Sequence, residues 1–589
     1  MSTPGPRGIR RGTLSVDGAT VGYHWGGQGR VTVVVGSIAQ SASLCLPLLS
    51  RLVATGAVLA VDPPGYGLSG PSEGDTSIEG RAGWLDRVLV ALGVAQATLV
   101  GRHSGGLVAL ALSGTAPDRY LVVILDRTPL LGESERRRWG AQYAPEIPAV
   151  LDGGHLSRHW MLRRLELLYA PWFDAPDGVP LEADLTGSEA LDDLMHAAVL
   201  DRLAAGDIWA DPYRAMFAYD PAPVLQAPAT RVVVLAENGP RALRTPGAGS
   251  VLDGSGLIGD PVTVVLPPPG VGRDDMLVSL VERHGPTAAT TWTSPARPPA
   301  DRRAWTVELA STPWGQVVVR RHDAPGRPGR RPLVMLHASP LSGVSLLPLA
   351  AAFTPSRPVV VVDTLGAGDS DRPDVAAHPQ LRNPRIEDYA AVVGAAIDDL
   401  GIEAVDLYGT HTGAVIAIEL AISRPDLVQN LVVNGVPLFD PDGVDDTLSD
   451  YFIDLSPRWD GGHLAAAWSF TVEVMLWFPW HVRDGAHRRL RPNLDPAALH
   501  ERFVQLLKGG VDYAKPQRAA LVHPTRSRLP DVAVRTLVCS SPGDPLGPDA
   551  RDVTRLVAGA EHASLSGTAQ DALMIVAWLD AGGQERKTA

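Results

Sequence analysis

The chain has 589 residues, 45% hydrophobic and 20% charged, a composition for soluble globular structure and a length that predicts two domains. Its net charge of -13 disfavours nucleic acid as a partner, and no apolar run reaches the length needed to span a bilayer, so neither nucleic acid nor membrane is expected. The cysteines, Cys45 and Cys539, exclude a disulfide framework, and Met1 to Arg7 lacks the apolar stretch of a secretory signal, which together fit a reducing cytoplasm.

Lysine is confined to Lys508, Lys515 and Lys587, while Arg, Ala, Gly and Pro abound. That pattern fits a GC-rich bacterial genome and says nothing about chemistry.

In chain order the sequence reads as two copies of one plan. The first covers residues 8–284. Residues 285–302 (GPTAATTWTSPARPPADR) are rich in Pro, Thr and Ala and predict a linker. The second copy covers residues 303–582, and a polar tail follows. The period is half the chain, so this is a domain duplication and not a solenoid.

Each copy alternates short apolar runs with helical patterns. Residues 31–35 and 333–336 read as strands buried on both faces. Residues 58–61 and 359–362 follow, ending in Asp62 and Asp363 before Gly-rich turns. Helices are expected from Ile78 and Ile386. Next come strands over 97–100 and 405–407, each followed by a Gly-flanked turn and an apolar helix (107–112; 415–422). Further strands are expected over 121–125 and 431–433. The rhythm then stops for long, Trp-rich, helix-like segments, residues 132–227 and 440–530. It resumes with strands over 231–235 and 535–539, then a last strand and helix (262–266 with 276–283; 562–565 with 572–579). The fold class expected is α/β: two tandem domains, each a mostly parallel sheet with flanking helices. The inserted segments read as helical caps over the carboxyl ends of the strands, where open α/β sheets bind ligands.

The Gly-flanked turns carry the chemistry. Tyr408-Gly409-Thr410-His411-Thr412-Gly413-Ala414 stands between strand and helix, the setting of a Gly-x-Ser-x-Gly nucleophile elbow with histidine in the centre. Val100-Gly101-Arg102-His103-Ser104-Gly105-Gly106 repeats it in the first copy. A residue so placed is held out over the sheet, and packing explains a titratable group there poorly. The helix N-terminus beneath it is expected to keep the ring neutral and able to act as a base.

The layout resembles the α/β-hydrolase superfamily over nearly all of both copies. In copy two the matching pieces are His337-Ala338-Ser339-Pro340, similar to a His-Gly-x-Pro oxyanion loop, then Asp363-Thr-Leu-Gly-Ala-Gly-Asp-Ser370, and the elbow. In copy one they are Gly36-Ser-Ile-Ala39, Asp62-Pro-Pro-Gly-Tyr-Gly-Leu-Ser69, and its elbow. The family usually has Ser, Asp or Cys at the elbow and a Gly-His pair after the last strand. Copy one has no histidine there. In copy two His562 reads either as that base or as the start of the strand. The family acid of Gly-Asp-x-Asp-Pro matches Asp544; the corresponding stretch of copy one, Ala236-Glu-Asn-Gly-Pro240, has proline at that position, with Glu237 nearby. The alternative acid position, at the end of the sixth strand, holds Asp126 in copy one and Asn434 in copy two.

The two copies also share polar residues. His103 matches His411. Asp152-Gly-Gly-His155 matches Asp460-Gly-Gly-His463, Trp160 matches Trp468, Pro171-Trp172 matches Pro479-Trp480, and His196 matches His500. The aromatics and prolines read first as cap packing. Asp-Gly-Gly-His reads equally as a helix-capping turn, and His196/His500 as a hydrogen-bonded core histidine.

The resemblance implies an enzyme acting on a small apolar carbonyl compound (ester, thioester, lactone or 1,3-diketone), with an elbow histidine as general base. A place in specialised bacterial metabolism fits it. His411, Asp544, His463, His103 and His155 are the expected catalytic set. His337, Ala338, Ser339, Thr412, Asn434, Asp460 and His500 are expected around the oxyanion and pocket. A lyase, dehydratase or cyclase would keep the base and drop the water; a ligand-binding or scaffolding module would have lost both activities. The recurring histidines lack local metal-ligand spacing, and no Gly-x-Gly-x-x-Gly follows the first strand, so no metal and no cofactor are expected. The partner expected is a small-molecule substrate. Two copies in one chain predict that they pack on each other, with a homo-oligomer compatible. Copy two keeps more of the site and is the expected seat of activity.

Overall fold

The computed structural model describes residues 8–71, 74–174, 179–180, 189–235, 262–265, 271–285, 292, 304–324, 329–439, 451–489, 492–567 and 569–585. Within them the chain divides into two compact units, one from Gly5–Pro148 with Gly154–Ala300, the other from Asp301–Ala589 with Ala149–Gly153. No helix among the described residues is long and apolar enough to cross a membrane.

The first unit begins with β1 (Ile9–Val16) and β2 (Ala19–Gly26), followed by β3 (Val31–Val35), β4 (Ala57–Val61), β5 (Ala97–Arg102) and β6 (Tyr120–Asp126). A two-residue ribbon, β7 (Tyr169–Ala170) with β8 (Val179–Pro180), lies in the cap. The chain then returns to the sheet as β9 (Arg231–Leu235) and β10 (Val262–Val265). The second unit repeats the plan with β11 (Thr306–Thr312), β12 (Gly315–His322), β13 (Leu333–Leu336), β14 (Val359–Val362), β15 (Val405–Thr410), β16 (Val428–Asn434), β17 (Arg535–Ser540) and β18 (Glu561–Ser564). Each sheet has eight strands, ordered β1-β2-β4-β3-β5-β6-β9-β10 and β11-β12-β14-β13-β15-β16-β17-β18. In each sheet the second strand, β2 or β12, runs antiparallel to both of its neighbours, and the remaining neighbours pair parallel. The expected α/β class is what forms.

Side-chain alternation explains why the central strands are apolar at every position. In β13, Val334 and Leu336 join the core with the helices Ile386–Asp399 and Thr412–Ser423, while Leu333 and Met335 face Phe353, Ile575 and Leu579 on the other side. Both faces are dry, and each such Val or Leu buried contributes about 1.5–3 kcal/mol.

Two strands in each unit precede those expected from the sequence. Asp17 and Gly18 both take positive φ, 53° and 80°, and close β1 onto β2 in the way an Asp-Gly pair favours. The hairpin signal was therefore present, but Arg and Gly interrupt the apolar alternation around it. The expected linker is also corrected in part. Trp292 is buried at 5% exposure, donates from Nε1 to the Leu92 carbonyl at 2.8 Å, and packs edge-on to Trp25. An indole with its N–H satisfied belongs to the first unit's core. Residues 286–291 and 293–302 lie outside the described residues.

The caps leave the sheets after β6 and β16. The first contains the helices Gly154–Leu168, Glu189–Ala205 and Asp211–Ala218; the second contains Gly462–Leu476, Pro496–Gly509 and Lys515–Val522. Their recurring tryptophans do the same job twice. Trp172 Nε1 donates to the Tyr143 carbonyl at 3.0 Å, and Trp480 Nε1 to the Tyr451 carbonyl at 2.8 Å. The packing reading of these aromatics holds. Residues 440–450 of the second cap lie outside the described residues.

Candidate active site

Both elbows are strained in the same way. His103 and His411 have φ of 49° and 50°, a conformation that costs a residue with a Cβ on the order of 1–3 kcal/mol. The strand behind them holds the distortion: His411 N–H donates to the Asn434 carbonyl at 3.0 Å, and His103 N–H to the Asp126 carbonyl at 2.9 Å. Flanking glycines let the helix approach the sheet. A Cβ at Gly413 would lie 2.6 Å from the His337 carbonyl oxygen, and one at Gly409 would lie 2.7 Å from Ala414 Cα. Each histidine immediately precedes a helix, Gly105–Thr115 after Ser104 in one unit and Thr412–Ser423 in the other.

In the second unit the elbow histidine has an acid partner. His411 Nε2 lies 3.0 Å from Asp544 Oδ2. The Asp544 side chain is 7% exposed, whereas that of His411 is 39% exposed. Burial alone would raise the Asp544 pKa. The hydrogen bond and charge of His411, the Leu546 N–H and the Arg489 charge outweigh it and leave the carboxyl below its usual range. An ionised carboxylate only accepts, so Nε2 carries the proton and a neutral ring presents its lone pair at Nδ1. Among the described residues Nδ1 has no hydrogen-bond partner.

Gly435, which the sequence did not single out, makes this pairing fit. It follows β16 with φ of 65°, and a Cβ there would stand 2.6 Å from both Asp544 Oδ2 and His411 Nε2. Its signal in the sequence was a glycine directly after an expected strand. Asn434, beside it, exchanges hydrogen bonds with Ser541 Oγ at 2.9 and 3.3 Å and so ties the end of β16 to the loop that bears Asp544. It braces the loop that bears Asp544 and does not itself pair with His411.

The loop after β13, expected to hold the oxyanion, is braced from below. His337 is 1% exposed; its Nε2 accepts from Thr364 N–H at 3.1 Å, so Nδ1 carries the proton and donates to the Ala338 carbonyl at 3.0 Å. Burial lowers its pKa, in keeping with a neutral ring. The expectation of His337 in the pocket is therefore corrected: it is a buried strut. Ala338 and Ser339 follow it in the loop. Gln505, on the cap helix Pro496–Gly509, accepts from Ser342 N–H at 3.1 Å and fastens the cap to this loop. Thr412 is the first residue of its helix, so its N–H has no intrahelical acceptor. Ser339 N–H likewise has no acceptor among the described residues.

The first unit departs at each of these points. Ser104, in the position of Thr412, accepts from Ile38 N–H at 3.1 Å and lies 3.2 Å from Ser37 Oγ, so its hydroxyl occupies the loop donor that matches Ser339. Asp126 is fully buried, with Arg102 Nε 3.0 Å away and Arg273 Nε on its other oxygen. The two guanidiniums outweigh burial and hold it ionised. His103 is exposed to solvent in this structure; partial desolvation by the surrounding protein, with the charges of Arg102, Arg127 and Arg163, outweighs Asp126 and lowers its pKa. Glu237 and the rest of its stretch lie outside the described residues, as do residues 266–270.

The remaining expected site residues sit elsewhere. His562 lies within β18, 3.2 Å from Ser540 Oγ, which decides for the strand reading. His463 is 1% exposed in the first turn of the helix Gly462–Leu476, and its Nδ1 accepts from Arg458 N–H at 3.1 Å. Burial lowers its pKa to about 4. Asp460 is corrected from pocket to surface: its side chain is 61% exposed, accepts from Gly462 N–H at 2.8 Å and pairs with Arg458. The repeated Asp-Gly-Gly-His is thus a helix-entry motif here, and His155 is buried at the start of the matching helix Gly154–Leu168. His500 lies on the cap helix Pro496–Gly509, its ring 6.4 Å from that of Phe503. Among the described residues the direct side-chain partner of His411 is Asp544.

Comparison with known proteins agrees with this architecture. The family model for the alpha/beta hydrolase fold matches residues 331–465. The dihydrolipoyllysine-residue acetyltransferase component of the acetoin cleaving system of Cupriavidus necator is 29% identical over 187 residues, 32% of this chain and 45% of that protein. The 2-hydroxymuconate semialdehyde hydrolase of a Pseudomonas species is 38% identical over 111 residues, 18% of this chain and 36% of that protein. The chain thus spans less than half the length of these curated relatives. Among solved structures, an enol-lactonase from Burkholderia xenovorans aligns with a TM-score of 0.36 and 18% identity, covering 47% of this chain and 99% of that one. The match to the alpha/beta hydrolase fold lies in the second half of the chain, and the first half repeats the strand order of that half.

Proposed function

We propose that the second domain is an enzyme acting on a small apolar carbonyl compound, an ester, thioester, lactone or 1,3-diketone, with His411 as general base. The observation that carries this reading is the 3.0 Å pairing of His411 Nε2 with a buried Asp544, which leaves Nδ1 unengaged. In the hydrolytic step, water oxygen bonds to the carbonyl carbon while its proton passes to Nδ1. The imidazolium that forms is stabilised by the adjacent carboxylate. The oxyanion develops towards the N–H groups of Thr412 and Ser339. The tetrahedral adduct then breaks its bond to the leaving group, which takes the proton back from Nδ1. A positioned base supplies roughly 10²–10⁴-fold and an oxyanion donor roughly 10²–10³-fold. No acyl-enzyme is required, which suits an elbow without serine. A relative named as a hydrolase supports the same class of chemistry.

The test is a turnover screen of the full chain with p-nitrophenyl esters, acyl thioesters, lactones and 1,3-diketones in ¹⁸O-water, beside His411→Ala. Loss of turnover in the variant and one ¹⁸O in the acid product support the reading. Unchanged turnover in His411→Ala overturns it. Turnover that depends on His411 without ¹⁸O in the product assigns the base to a lyase or cyclase reaction.

A further inference from the structure

We propose that the cap of the first domain encloses a binding site for a small monocarboxylate, anchored by Arg202 and Arg163. Arg202, on the helix Glu189–Ala205, is 1% exposed. Its Nη2 donates to Glu166 and, at 2.9 Å, to Tyr213 Oη, while its Nε and Nη1 are buried without a hydrogen-bond partner. Arg163 lies one turn before Glu166 on the helix Gly154–Leu168. Its Nη1 donates to the same carboxylate at 3.2 Å, and its Nε is likewise buried and unpartnered. Glu166 is itself 5% exposed at its side chain.

Two guanidiniums therefore share one carboxylate, and among the described residues no second carboxylate pairs with either of them, which leaves one guanidinium without an ion-pair partner of its own. Folding tolerates a buried, unbalanced cation with idle donors poorly. An anion of charge minus one would balance it and engage the idle N–H groups, which guanidinium chemistry favours for carboxylates.

The surroundings define the rest of the ligand. The Arg202 guanidinium carbon lies 5.5 Å from the Trp209 ring centroid and 5.7 Å from that of Tyr213, and Tyr143 stands 5.3 Å from Tyr213. Tyr66 contributes another buried hydroxyl without a partner, in the loop after β4, and is electrostatically coupled to Tyr213, Arg202, Asp201 and Arg81, of which Asp201 is engaged by Ser41 N–H and Oγ–H at 2.8 and 3.0 Å. Aromatic walls with a buried monocation fit a flat or apolar body carrying one carboxylate. The Arg163 charge also reaches the elbow at His103. The first domain would thus hold a ligand where its counterpart turns one over, and this reading stands apart from the one made for His411.

Calorimetric titration of the full chain with benzoate, and with neutral benzamide as its isostere, tests the site. Benzoate should bind with a stoichiometry of one, and benzamide at least tenfold more weakly. The charge-balanced double variant Arg202→Met with Glu166→Gln should weaken benzoate at least tenfold. Arg163→Gln, whose side chain is 19% exposed at the cap edge, should weaken it as well and serves if the double variant does not fold. No binding of benzoate, equal binding of benzamide, or benzoate affinity unchanged in the variants would overturn the assignment.

Discussion

His411 and Asp544 are 133 residues apart in sequence and meet at 3.0 Å between Nε2 and Oδ2. The acid loop thus reaches the elbow residue directly, without an intervening imidazole among the described residues. Asp544→Asn removes the charge that stabilises the imidazolium and allows the wrong tautomer. We expect kcat to fall roughly 10²–10⁴-fold with KM little changed, since the interaction strengthens only as the ring gains a proton. His411→Ala should fall as far, and the double variant no further; additive losses would show that the two do not act as a unit.

Gly435→Ala tests the same relationship from the backbone. The new methyl would press on both partners at a position with φ of 65°. The expected outcome is a folded protein, destabilised by about 1–3 kcal/mol in urea, with turnover reduced roughly a hundredfold by displacement of the pair. Full activity in this variant would show that the pairing is dispensable.

A fluorophosphonate probe should label neither elbow. Ser104 Oγ is engaged with Ile38 N–H and Ser37, and Asp126, whose carbonyl accepts from His103 N–H, has its carboxylate held by two arginines. In the second unit the elbow carries imidazole in place of a hydroxyl. Intact-mass analysis after probe treatment reads this directly, and an adduct mapped to Ser104 or Thr412 would contradict the histidine mechanism.

His463 predicts a pH dependence of stability. Its folded-state pKa is lowered from 6.5 to about 4, so the folded state resists protonation that the unfolded chain accepts. The contribution is therefore full above pH 6.5 and is lost as pH falls towards 4. Such a shift corresponds to about 3 kcal/mol. His463→Gln should flatten the fall in urea midpoint across this window, and an unchanged slope would refute the assignment.

Glu419 titrates lower. His523 Nε2 lies 3.1 Å from its Oε1, and Arg528 grips both oxygens at 2.8 and 3.1 Å. Burial opposes ionisation, but these partners outweigh it and bring the pKa from 4.5 to about 2. Its stabilisation is present above pH 4.5 and disappears as pH falls through 2. Glu419→Gln leaves Arg528 and His523 facing an amide and should cost on the order of 3 kcal/mol at pH 7, measured by denaturant unfolding.

Local pattern was enough for the α/β class, the duplication, the central strands and the two elbows. Strands such as β13 and β14 must be apolar throughout to lie buried on both faces, and a helix can approach a strand closely at His411 only if Gly409 and Gly413 lack a Cβ. Those demands act over a few residues and leave a mark in them. The roles of the polar residues were decided by tertiary structure. His337, His463 and His411 are alike in the sequence, yet one braces a loop, one receives a helix-entry N–H, and one faces Asp544. A side chain's chemistry depends on which donor or charge stands within about 3 Å of it. Arg202 and Arg163 gave no signal for the same reason: a guanidinium becomes informative only once folding has buried it beside a single carboxylate that it must share.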